Sequence, residues 1–115
     1  MKKSVKLSIW VIALFIIIGL MAVLIKKQPN QILFYSDSCP HCKIVEQYIS
    51  DNNVKNYLVF GQLEVSKNPA NSQLLVEKAT SCGISTDSLG VPFFFDGKNC
   101  FVGDQDIIKY FESKK

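Results

Sequence analysis

The stretch Ile32-Leu33-Phe34-Tyr35-Ser36-Asp37-Ser38-Cys39-Pro40-His41-Cys42 decides how the rest of the chain reads. Ile32 to Tyr35 is short, apolar and aromatic, as a buried strand would be, while Ile44, Val45, Tyr48 and Ile49 recur at helical spacing. Two thiols two residues apart thus stand at a strand-to-helix junction, where they can pass between dithiol and disulfide. Pro40 fits the first helical turn, where its missing N–H is no loss, so Cys39 falls at or just before the N-cap and Cys42 inside the helix. Cys39 then faces the positive end of the helix dipole and free backbone N–H groups, and a protonated His41 adds a second cation; both favour a thiolate. The pattern predicts Cys39 as nucleophile and Cys42 as the resolving thiol that ejects a mixed-disulfide partner. His41 is either a surface residue without chemical duty or, between two active cysteines, an imidazole that tunes the thiolate. Asp37 either sets a negative charge near Cys39 or simply solvates the loop.

Downstream, Asp51-Asn52-Asn53 supplies turn residues that end the helix. Tyr57 to Val65 alternates, with Tyr57, Val59, Leu63 and Val65 on one face and Gly61 interrupting, and reads as a second strand. Lys67 to Asn71 is a loop that can cap a helix from about Ser72 to Cys82, with Leu74, Leu75, Val76 and Ala79 toward the core and Gly83 as its stop. Ile84 to Gly90 has no periodicity. It leads into Val91-Pro92-Phe93-Phe94-Phe95, the hairpin signal Asp96-Gly97, then Asn99 to Val102; Gly103-Asp104 opens a last helix with Ile107, Ile108 and Phe111 on one face. The order is βαβαββα within about 85 residues, enough for a small core.

A strand, a C-x-x-C, a helix and, much later, Val91-Pro92 before another apolar strand resemble the thioredoxin superfamily, over roughly Gln31 to Phe111. The compact length is most similar to a glutaredoxin, but Pro40-His41 is the dipeptide of DsbA-type oxidases of the bacterial periplasm; typical glutaredoxins carry Pro-Tyr and thioredoxins Gly-Pro. The resemblance implies an α/β, thioredoxin-like fold with a four-stranded mixed sheet, and a thiol-disulfide oxidoreductase with Cys39, Cys42, His41 and Pro40 as its catalytic residues. It further implies that Pro92 is cis and faces the CxxC, and that the backbone at Val91 pairs with a substrate peptide like an added strand. Only about 5 to 6% of X-Pro bonds are cis, so this expectation belongs to the resemblance and not to the dipeptide.

The DsbA-like dipeptide points to donation of disulfides to exported proteins and to reoxidation by a quinone-linked membrane partner, although no helical insertion of DsbA type is present. Glutaredoxins hold glutathione around the cis-proline and a Gly-rich, Asp-containing stretch. This chain offers Val91, Pro92 and Gly103-Asp104, but one glycine where those proteins often have two and His41 where they often have Tyr, which counts against glutathione. No cofactor beyond the Cys39-Cys42 disulfide is expected. One rival keeps the enzyme class and reverses the flow, as a reductase or isomerase fed by a membrane electron donor. Another is a delivery module in which the CxxC binds copper(I) or zinc. Structural zinc wants four ligands at paired spacing, and Cys82 and Cys100 are 18 positions apart, so no metal ligand is assigned.

Cys82 and Cys100 form a second pair by elimination. They either make a structural disulfide, closing a loop of about 19 residues for about 3 kcal/mol, or remain two buried thiols acting as small hydrophobes. A relay passing oxidation to Cys39-Cys42 is a third reading.

Before the domain, Leu7 to Ile25 is LSIWVIALFIIIGLMAVLI, whose only polar side chain is Ser8, long enough to cross a hydrocarbon core of about 30 Å. A basic segment, 1–6, precedes it and a polar linker, 26–30, follows, with the domain over 31–115. A cleaved signal peptide competes, but the block exceeds a usual h-region and runs into Ile25-Lys26-Lys27 without a small-x-small site, so a signal anchor is expected. Three lysines before the span against two after it favour a cytoplasmic N-terminus and an extracytoplasmic domain. Four cysteines suit such a disulfide-permissive compartment. The net charge of +3 divides into +5 over residues 1–27 and −2 over residues 28–115. With no arginine and no basic stripe interleaved with aromatics, nucleic-acid binding has no support.

Overall fold

The computed structural model describes residues 2–24 and 30–115. Helix α1 (Lys2–Leu24) precedes β1 (Ile32–Tyr35), α2 (Pro40–Asp51), β2 (Gly61–Glu64), α3 (Pro69–Ser81), β3 (Phe93–Phe95), β4 (Cys100–Val102) and α4 (Asp104–Ser113). After α1 this is the βαβαββα order. The strands form one mixed sheet, β2-β1-β3-β4, with β1 parallel to β2 and antiparallel to β3, and a β3–β4 hairpin at one edge.

Alternation along the strands divides the core in two. Leu33 pairs with Phe94 and Phe34 with Phe93, and since successive side chains point to opposite faces, each pair serves a different layer. On one face Leu33 and Phe94 pack with Val45 and Ile49 of α2 and Ile107 and Phe111 of α4. The Phe94 and Phe111 rings meet edge to face at 5.2 Å. On the other face Phe34, Phe93 and Phe95 pack against Leu75 and Ala79 of α3. Helices on both faces of a sheet that is central in β1 and β3 explain why those two strands carry no charged side chain.

Two expectations change. The predicted strand Tyr57–Val65 shrinks to Gly61–Glu64, because Val54 and Leu58, four residues apart, are both buried through a 3₁₀ turn at Val54–Asn56. Their one-turn spacing overrides the alternation, and Val59, expected on one face with Tyr57, Leu63 and Val65, is 78% exposed. Helix α3 starts at Pro69 instead of Ser72: Asn68 Oδ1 accepts from the Ala70 and Asn71 N–H groups at 3.0 and 3.4 Å, and Pro69 takes the first helical position. Helix α1 begins at Lys2, so the lysines of the 1–6 segment ahead of the apolar stretch are helical too. Over 23 residues it is about 35 Å long, its described side chains are exposed, and by length and composition it can cross a membrane. Ile25 of the expected span and residues 26–29 of the expected linker lie outside the described residues.

Candidate active site

Because β1 and β3 are antiparallel with Phe34 opposite Phe93, the loop after β1 and the loop before β3 lie at the same end of the sheet. The first carries Cys39 and the second Pro92. Cys39 is the N-cap of α2 in extended conformation, with Pro40 at the first helical position. Its N–H donates to the Ser36 carbonyl at 3.2 Å, and its Sγ accepts the Cys42 N–H at 3.2 Å, the place an N-cap hydroxyl would fill. Ser36, buried, and Ser38 join hydroxyls at 3.2 Å and tighten the turn before the sulfur.

The two thiols of this pair are free and differ in access: Cys39 is half-buried, Cys42 only 1% exposed. Burial foremost, then the hydrogen bond and charge of the Cys39 sulfur, hold the Cys42 thiol well above the ordinary range. The Val91-Pro92 bond is cis. The Cys39 thiol points to the Val91 carbonyl at 3.5 Å, so the sulfur and the backbone ahead of Pro92 are neighbours. Pro92 itself is fully buried, and its carbonyl accepts the Gly103 N–H at 3.0 Å. Gly103 caps α4 with φ +88°, a conformation that a residue with a Cβ adopts only under strain.

His41 lies exposed on the first turn of α2, and its Nδ1 is 3.2 Å from Asp104 Oδ1 on the first turn of α4. Asp37 is exposed in its loop, where Lys67 Nζ donates to its Oδ2 at 2.8 Å. Glu64, at the end of β2, takes hydrogen bonds from the Ser66 hydroxyl, from the Ser66 N–H at 2.9 Å and from the Lys67 N–H at 2.8 Å, and the Ser66 hydroxyl foremost holds its carboxyl below the usual range. These partners escaped the sequence reading. Asp104 and Lys67 are 63 and 30 positions from the residues they meet, and only the side-by-side packing of α2 and α4, and of the β1 and β2 loops, joins them.

Cys82 and Cys100 are joined by a disulfide with Cα atoms 6.1 Å apart. Cys82 caps the C-terminus of α3, and Cys100 opens β4 opposite Phe95, which pairs with Ile32 at the start of β1. The bridge thus occupies the end of the sheet away from Cys39. Among the described residues, no three His, Cys, Asp or Glu side chains cluster to hold a metal ion.

No family model matches the chain, and a search of curated proteins finds no significant match. Among solved structures it is similar to a point mutant of the thioredoxin-like protein BC3987, with TM-score 0.53 and 19% identity over 75% of this chain and 97% of that one. It is similar also to a glutaredoxin from wheat, with TM-score 0.52 and 18% identity over 76% of this chain and 72% of that one. At such identities the likeness speaks for architecture alone, and it shows that this chain has a thioredoxin-like fold carrying a close pair of cysteines at the start of its second helix.

Proposed function

We propose that the chain is a membrane-anchored thiol-disulfide oxidoreductase that exchanges disulfides with exported proteins through Cys39 and Cys42, in the oxidising direction. The observation that carries the reading is the asymmetry of the pair: an accessible sulfur at a helix N-cap, beside the Val91 carbonyl, over a buried partner thiol. In the oxidising direction a client thiolate attacks Cys39 Sγ of the Cys39-Cys42 disulfide, and Cys42 leaves and takes a proton. A second client thiolate then attacks the client sulfur of the mixed disulfide and expels Cys39. Two electrons pass from client to enzyme, and a quinone-linked membrane partner removes them. In reverse, Cys42 resolves: once Cys39 is bound in a mixed disulfide its charge and hydrogen bond no longer act on Cys42, two of the causes that hold that thiol protonated disappear, and it attacks more readily.

Val91 and Pro92 offer the client backbone a docking edge beside the sulfur. The anchor is the apolar stretch Leu7–Ile25, most of which lies in α1, a helix long enough to span a bilayer. Asn30, where the described domain begins, lies against Gly97 of the hairpin, at the opposite end of β1 from Cys39. That polarity supports thiols directed to water-soluble clients. Equilibration of the full chain in glutathione buffers tests the direction. A potential well above thioredoxin's roughly −270 mV supports the oxidase, and one near it makes the chain a reductase or isomerase. The His41–Asp104 contact favours that second reading, since a carboxylate beside an imidazolium offsets its charge.

A further inference from the structure

We propose that Asp104 is a positioning residue for His41, and that it restrains how oxidising the Cys39-Cys42 pair is; the inference rests on the redox reading above. The His41 side chain is 67% exposed and that of Asp104 only 20%, so the carboxylate is the fixed partner and the imidazole the adjustable one. What fixes the carboxylate is the start of α4. Gly103 donates to the Pro92 carbonyl at 3.0 Å, Ile107 N–H returns to the Gly103 carbonyl at 3.2 Å, and Ile107 is buried in the core. The dipeptide Gly103-Asp104 thereby holds both halves of the site, the loop of Pro92 through its backbone and His41 through its carboxylate.

The consequence for Cys39 is electrostatic. An imidazolium two residues along the same helical turn stabilises a thiolate, and so the reduced state, more strongly the closer it comes and the less its charge is offset. Asp104 acts against this twice: it ties Nδ1 to the first turn of α4, and it sets a negative charge 3.2 Å from the ring. Two other pairs of charges stand near the CxxC, Lys43 with Glu46 at 3.4 Å and Asp37 with Lys67 at 2.8 Å. Without Asp104 the ring is free to swing over Cys39.

The test uses the full chain in detergent, equilibrated in glutathione buffers and quenched by alkylation, with the Cys82–Cys100 bridge and the circular dichroism spectrum as folding controls. Asp104→Ala is expected to raise the equilibrium constant for accepting electrons roughly tenfold, about 30 mV for a two-electron couple. Asp104→Asn, which keeps an acceptor for Nδ1–H while losing the charge, shifts it less in the same direction and carries the test if the alanine variant does not fold. In a His41→Ala background, removal of Asp104 has less than a twofold effect. An unchanged constant, a shift toward reducing, or an equal shift without His41 overturns the inference while leaving the redox reading intact. A wild-type chain with no Cys39-Cys42 redox equilibrium overturns both.

Discussion

The two cysteine pairs share one chemistry and have opposite surroundings. Cys39 and Cys42 are three positions apart on one helical turn, with one sulfur reachable and the other sealed under α2. Cys82 and Cys100 are 18 positions apart, tie the end of α3 to β4, and stand at the other end of the sheet. In the first pair the Cys42 N–H donates to the Cys39 sulfur and the loop of Val91 lies beside it, which suits it to exchange. In the second the sulfurs approach only the Lys98 and Lys78 carbonyls, acceptors that offer a thiolate nothing. Spacing alone does not make a cysteine reactive; what the fold places around it does.

The sharpest break of this comparison is Cys39→Ser, which is expected to reduce disulfide exchange on the order of 10³-fold or more, as removal of a nucleophile does. Cys42→Ser should instead trap mixed disulfides on Cys39, visible on non-reducing gels. Replacing Cys82 and Cys100 together with Ala should do the reverse: exchange within about twofold of wild type, as for distant independent sites, and a loss of about 3 kcal/mol in urea unfolding. A collapse of exchange in that variant with the fold intact would join the two pairs in a relay.

A pH series sharpens the contrast further. The folded reduced domain holds Cys42 protonated, whereas the unfolded chain ionises it from about pH 8.5. Its raised folded pKa gives stability that is complete below that pH and drains away as pH climbs toward the folded value, by up to about 1.4 kcal/mol per pH unit. Oxidation to the Cys39-Cys42 disulfide should remove the share of the slope due to Cys42, leaving that of raised groups such as Tyr48 and Tyr110, and Cys82–Cys100 should contribute none in either state. Denaturant midpoints of the reduced and oxidised protein between about pH 8 and 11 measure it. The smallest effect is expected from Lys67→Met, which removes an exposed ion pair and should leave the denaturant midpoint nearly unchanged.

Much of the fold was legible because strand and helix periods are local. Ile32–Tyr35, Phe93–Phe95 and the Asp96-Gly97 turn announce themselves, as does a helix after Pro40. The reading failed where a local pattern met a stronger packing demand, as at Val54 and Leu58, whose burial leaves Tyr57 to Phe60 outside the sheet. It fell short at Asn68, whose side-chain cap draws the start of α3 forward to Pro69.

By itself the sequence determined the order of elements, the place of Cys39 at a helix start and an apolar segment long enough to span a bilayer, since each depends on neighbours within a few residues. Only the tertiary structure decided which charges meet. His41 finds Asp104 because α2 and α4 start side by side, Asp37 finds Lys67 because parallel β1 and β2 end together, and Pro92 finds Gly103 because the antiparallel β3–β4 hairpin returns there. It also decided how deep each sulfur lies. Burial sums over every element packed around an atom, and no stretch of chain contains that sum.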